Sequence, residues 1–116
     1  EHSEPQPDIT LARPRPDLYA AFHPGPQDIF LVVEVSDTSA DYDREVKVPL
    51  YGRAGIPEIW LADLEGDSIQ VYRGPGSEGY HQARTVGRGE LLAPEAFPDL
   101  ELLAVDILGL PPADRH

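Results

Sequence analysis

The stretch DIFLVVEVSD, residues 28 to 37, constrains the chain more than any other. Six of the seven residues from Ile29 to Val35 are apolar and occupy both alternating faces. The strand they predict, Asp28 to Val35, is therefore covered on both sides, as a central strand of an α/β sheet is. Near its end stands Glu34. A carboxylate desolvated there is strongly unfavourable unless a cation, a set of backbone donors or a metal ion compensates it.

The elements around this strand follow from local signals. Residues 8 to 12, DITLA, alternate as a short strand. The proline-rich stretch from 13 to 27 reads as a loop, with one helical turn around Leu18 to Ala21. Ser39 or Asp41 can cap a helix that runs to about Ala54, with Gly55 as its stop and Pro57 just beyond. Tyr42, Val46, Leu50 and Ala54 recur at i, i+4 and predict its apolar stripe, while Pro49 removes one backbone hydrogen bond and kinks it.

EIWLADL, 58 to 64, is a second apolar strand; EGDS is a turn; IQVYR alternates as an exposed hairpin partner. GPGSEG reads as a loop, YHQARTV as another alternating strand, and the tail LELLAVDILGLPP as an edge strand with a short helical turn. The order β, β, α, β, β, β describes a single α/β domain over residues 1–116, a mixed sheet with at least one packed helix.

Charge and composition narrow the function. At 116 residues the chain supports one domain with a real core. Its net charge of −12 repels phosphate backbones and lowers the expectation of a nucleic-acid partner, although an acidic surface also serves solubility. Zero cysteines exclude thiolate metal sites and fit a reducing, cytoplasmic setting. No apolar run approaches the ~20 residues of a membrane span. His2, His23, His81 and His116 lack zinc-site spacing, and there is neither a GxSxG elbow nor a GK[ST] phosphate loop.

What remains is a constellation around Glu34. Asp8 opens the first strand and meets Glu34 if the two strands pair. Two carboxylates brought together repel, and a divalent cation is the usual compensation. Asp43, Lys47 and Tyr51 follow one another at i, i+4 and project from a similar side of the helix. Each also has a plainer reading. Asp8 suits a turn after proline, Glu34 a salt bridge to Arg44 or Lys47, Lys47 a surface pair with Asp43, and Tyr51 the edge of the core.

PDI at 7 to 9, LVVEVSDTS at 31 to 39, YDREVKVPLYGRAGIPEIWLADL at 42 to 64 and VYR at 71 to 73 resemble the Uma-two family. That is a widespread bacterial family placed with the endonucleases of the PD-(D/E)XK superfamily. The resemblance covers about Pro7 to Asp106. It implies a restriction-endonuclease-like fold and a Mg²⁺ or Mn²⁺ ion held by Asp8, Glu34 and the carbonyl of Val35. The substrate implied is DNA.

The superfamily's usual lysine, two residues after the second acid, is replaced here by Ser36. The matching lysine is Lys47, supplied by the following helix, where it would position and activate the attacking water. Ser36, Asp43 and Tyr51 would support it. Similar proteins carry a further N-terminal region before the PD segment, so that part of the family domain is expected to be missing here and a homodimer to fill the gap. The rival expectations are a catalytically inactive, nuclease-derived binding or assembly module, and a metal-dependent hydrolase of another substrate.

Overall fold

The computed structural model describes residues 9–12, 26–37 and 40–109. Five strands form one sheet in sequence order: β1 (Ile9–Ala12), β2 (Ile29–Ser36), β3 (Glu58–Asp63), β4 (Ser68–Gly76) and β5 (Gly79–Gly87). β2 and β3 run parallel, and every other neighbouring pair is antiparallel. Parallel neighbours need a crossover. It is a continuous helical run made of α1 (Ala40–Tyr42), a π-helical segment (Asp43–Lys47) and α2 (Val48–Arg53). A two-stranded ribbon, β6 (Leu91–Leu92) with β7 (Leu102–Leu103), and the short α3 (Ala104–Leu108) complete it. A mixed five-stranded sheet with a helical crossover is the restriction-endonuclease-like α/β core that the sequence predicted.

Apolar residues on both faces of β2 and β3 bury against two different layers. Leu31, Val33, Trp60, Ala62, Ile69, Val71 and Val86 pack one face against Leu92, Ala104 and Leu108. Val32 and Ile59 pack the other against Val48, Tyr51 and Ile56. Glu34 alternates with Val33 and Val35 and so shares the face of Val32, beneath the helical run.

The helical run ends where the sequence predicted. Gly55 has φ +84°, and the N–H groups of Gly55 and Ile56 donate to the carbonyls of Gly52 and Tyr51. Its interior is not a simple kink. Pro49 has no N–H and its ring crowds the carbonyl four residues back, at Glu45. The backbone widens instead: the Val48 N–H donates to the Asp43 carbonyl, five residues back. A second constraint comes from Gly52, where a Cβ would stand 2.8 Å from the Gly79 backbone. Only glycine lets the helix lie this close to the start of β5.

Five expectations need correction. The stripe of Tyr42, Val46, Leu50 and Ala54 does not face the sheet: Tyr42 is 58% and Val46 39% exposed, while Asp43, Val48, Tyr51 and Gly52 are buried. A polar cluster occupies the inner face, so apolarity is a poor guide to orientation there. Asp41 lies within α1 and so is not its cap. β4 is interior, between β3 and β5, because its Ile69 and Val71 complete the larger core, and β5 forms the edge. The tail strand β7 pairs with β6 in the separate ribbon. The GPGSEG loop is also shorter than its composition suggests, since β4 continues to Gly76 and β5 begins at Gly79. Ser39, the other proposed cap, and the turn around Leu18 to Ala21 lie outside the described residues.

Candidate active site

Glu34 sits one residue short of Val35 near the carboxyl end of β2, the end at which parallel strands of open α/β sheets receive ligands. Its carboxylate is 2% exposed. The helical run above supplies two of its partners. The Tyr51 hydroxyl donates to Oε2 at 2.7 Å, and Lys47 Nζ donates to Oε1 at 3.4 Å. Lys47 also lies 3.6 Å from Oδ1 of Asp43, whose other oxygen accepts a hydrogen bond from the Ser36 hydroxyl.

Five of the residues singled out in the sequence, Glu34, Ser36, Asp43, Lys47 and Tyr51, thus form one connected cluster. On an ideal helix of 3.6 residues per turn, two successive i, i+4 steps would carry Tyr51 about 80° around the axis from Asp43. The wide turn between Asp43 and Val48 takes up part of that drift, so acid, lysine and tyrosine line up over β2. Both plainer pairings of Lys47, with Glu34 and with Asp43, are present at once. Arg44, the other cation considered for Glu34, reaches Gln70, Asp41 and Asp63 instead.

The lysine is the wet member of the cluster, its side chain 26% exposed against 2% for Glu34 and 5% for Asp43. Burial alone would lower its pKa. The nearby carboxylates of Glu34 and Asp43 outweigh that, and Lys47 titrates above its ordinary value of 10.5. At neutral pH it is an ammonium, a donor and point charge rather than a proton acceptor. The chemistry such a cluster offers is stabilisation of negative charge developing on a bound group.

Asp8 lies outside the described residues. β1 places Ile9 opposite Val33, so the strand begins beside the Glu34 end of β2. Val35 is paired with Ala62 across the parallel ladder, and its side chain projects from the face opposite Glu34. Among the described residues no three histidine, cysteine or carboxylate side chains converge as a ready metal cage. Of the donors implied for a metal, Glu34 and the Val35 carbonyl lie in the described residues, and both are hard oxygens. That set suits Mg²⁺ or Mn²⁺, which bind through one or two carboxylates and keep several waters.

Sequence reasoning passed over two features. Asp63 ends β3 in register with Ser36, accepts the Gly66 N–H and lies 3.7 Å from Arg44. Its position after an apolar strand was the available signal. Glu58 is a second buried carboxylate, on the opposite face of the sheet. It accepts from Trp60 Nε1 at 2.8 Å, Arg73 Nε at 2.8 Å and the Glu95 N–H at 2.7 Å. Close donors on both of its oxygens make Glu58 a structural tie between β3, β4 and the segment beyond β6. The lysine of the Glu34 cluster is longer-ranged and open to water.

The family model Uma2, described as "Putative restriction endonuclease", matches residues 1–106 of the chain. No curated protein matches it. Among the described residues no helix is long and apolar enough to cross a membrane.

Proposed function

The chain belongs to the Uma2 family, and from that premise we propose that it is a metal-dependent endonuclease that hydrolyses DNA phosphodiester bonds at the Glu34 cluster. The observation carrying the proposal is the convergence of Glu34, Asp43, Lys47 and Tyr51 at the carboxyl end of β2, with only the lysine reaching water. Asp8, Glu34 and the Val35 carbonyl would hold Mg²⁺ or Mn²⁺, which when bound supplies Lewis acidity and lowers the pKa of its water. Tyr51 fixes one oxygen of Glu34 and leaves the other turned toward Lys47. The Lys47 ammonium donates to the attacking water or the scissile phosphate and offsets charge as it builds there. Ser36 and Asp43 hold that ammonium over the strand end.

Supercoiled and linear DNA incubated with Mn²⁺, Mg²⁺ or EDTA provide the test. Metal-dependent nicking is expected from the parent, with losses of at least a hundredfold in Lys47→Ala and Glu34→Gln. Cutting that survives EDTA, or variants as active as the parent, would refute the assignment.

A second reading has its own support in the net charge of −12: a nuclease-derived binding module without turnover. Calorimetric titration with Mn²⁺ separates the two, because a silent titration favours the module.

A further inference from the structure

Resting on the nuclease reading, we propose that Arg44 is a substrate-binding residue that grips a backbone phosphate of the DNA strand to one side of the Glu34 cluster. A chain of net charge −12 has to meet a polyanion through local cations. The described residues include six basic side chains that could do so. Arg73 is tied to Glu58 and the Ala93 carbonyl, and Arg84 pairs across strands with Val71, so both belong to the face away from the cluster. Arg88 is held by Asp67 near the end of β5. Arg53 lies two residues beyond Tyr51 and projects from another side of the helix. Arg44 and Lys47 share the π-helical segment over the cluster.

The Arg44 guanidinium is held in place before any ligand arrives. Its Nε donates to Oε1 of Gln70 at 2.9 Å, and that same oxygen accepts from the Tyr72 hydroxyl at 2.6 Å. The opposite edge of the fork makes weaker contacts. NH1 meets Asp41 at 2.9 Å, but Asp41 is 91% exposed and the pair is a surface i, i+3 contact. NH2 lies 3.7 Å from Asp63, beyond a hydrogen bond. A surface pair of this kind contributes little, and a phosphate oxygen, matched to the planar fork, displaces it.

Spacing supplies the second argument. Glu34, Leu61 and Gln70 are successive cross-strand partners, so they form one row on the helix-facing side of the sheet. Gln70 therefore anchors the guanidinium about two strand spacings from Glu34, on the order of 10 Å. A strand whose scissile phosphate lies at Lys47 passes Arg44 within a nucleotide or two.

Fluorescence anisotropy of a labelled duplex, titrated in EDTA over a range of salt, reads this out alongside Mn²⁺-dependent cutting. Arg44→Ala is expected to weaken binding roughly tenfold and to reduce the slope of log K against log salt by about one. Arg44→Lys, the safer variant for folding, keeps the slope but loses affinity with the fork. Asp41→Asn, which removes the competing carboxylate, tightens binding. A parent that binds and cuts while Arg44→Ala keeps both affinity and slope overturns the role of Arg44 and leaves the nuclease reading standing. A parent that neither binds nor cuts overturns both.

Discussion

The hydroxyl of Tyr51 donates to Oε2 of Glu34 at 2.7 Å, so a helix residue 17 positions downstream holds the buried acid of β2 from above. Removing that donor leaves a desolvated carboxylate with one partner fewer. Tyr51→Phe is expected to lower stability by about 1–3 kcal/mol, read from urea midpoints. Combined with Glu34→Gln, the pair should couple by roughly 0.5–3 kcal/mol in a double-mutant cycle. Strictly additive effects would show that the hydrogen bond carries no weight.

Gly52 gives a purely steric prediction. Alanine is the better helix former by about 1 kcal/mol. Its Cβ, however, would meet the Gly79 backbone at 2.8 Å, and backbone cannot swing aside as a side-chain tip can. Gly52→Ala is therefore expected to destabilise by about 1–3 kcal/mol, as overpacked cores do. A raised melting temperature would contradict the close approach of α2 to β5.

Alkaline pH should weaken the fold through three protons. Burial raises the Tyr80 hydroxyl, which donates to the Ile56 carbonyl at 2.6 Å. Burial also raises Tyr72 against the opposing pull of Arg44, and the carboxylates around Lys47 raise it against its burial. Each group binds its proton more tightly folded than unfolded. Its contribution is complete below the ordinary values of 10.0 for tyrosine and 10.5 for lysine, and is lost as pH rises through the folded values. Urea midpoints should stay level from neutral pH to about 9 and fall beyond 10. Tyr80→Phe, at a cost of about 1 kcal/mol near neutrality, should make the alkaline fall shallower. An unchanged fall in that variant would assign it to other groups.

How far the sequence reached differs between the strands and the helix. β2 announced itself through apolar residues on both faces, and the lone acid within that run marked the site. The stop at Gly55 was legible because few residues other than glycine take φ +84° there. The orientation of the helical run was not, because hydropathy patterns assume that the inward face is greasy. Here that face carries Asp43 and Lys47 beside Val48 and Tyr51, and Tyr42 and Val46 were left outside. The partnership of Arg44 with Gln70 was equally hidden, since it spans 26 residues and depends on β4 lying inside the sheet.

The widened turn at Pro49 has a consequence for chain length. Between its ends the crossover carries one residue more than an unbroken α-helix tracing the same path. Deleting Glu45 or Val46 would remove that extra residue while Pro49 still resists regular winding, so it is expected to cost stability as well as shift the Asp43 carboxylate relative to the Lys47 ammonium. Function at this site therefore depends on counting as much as on identity: a chain one residue shorter keeps every side chain of the Glu34 cluster and loses the alignment over β2.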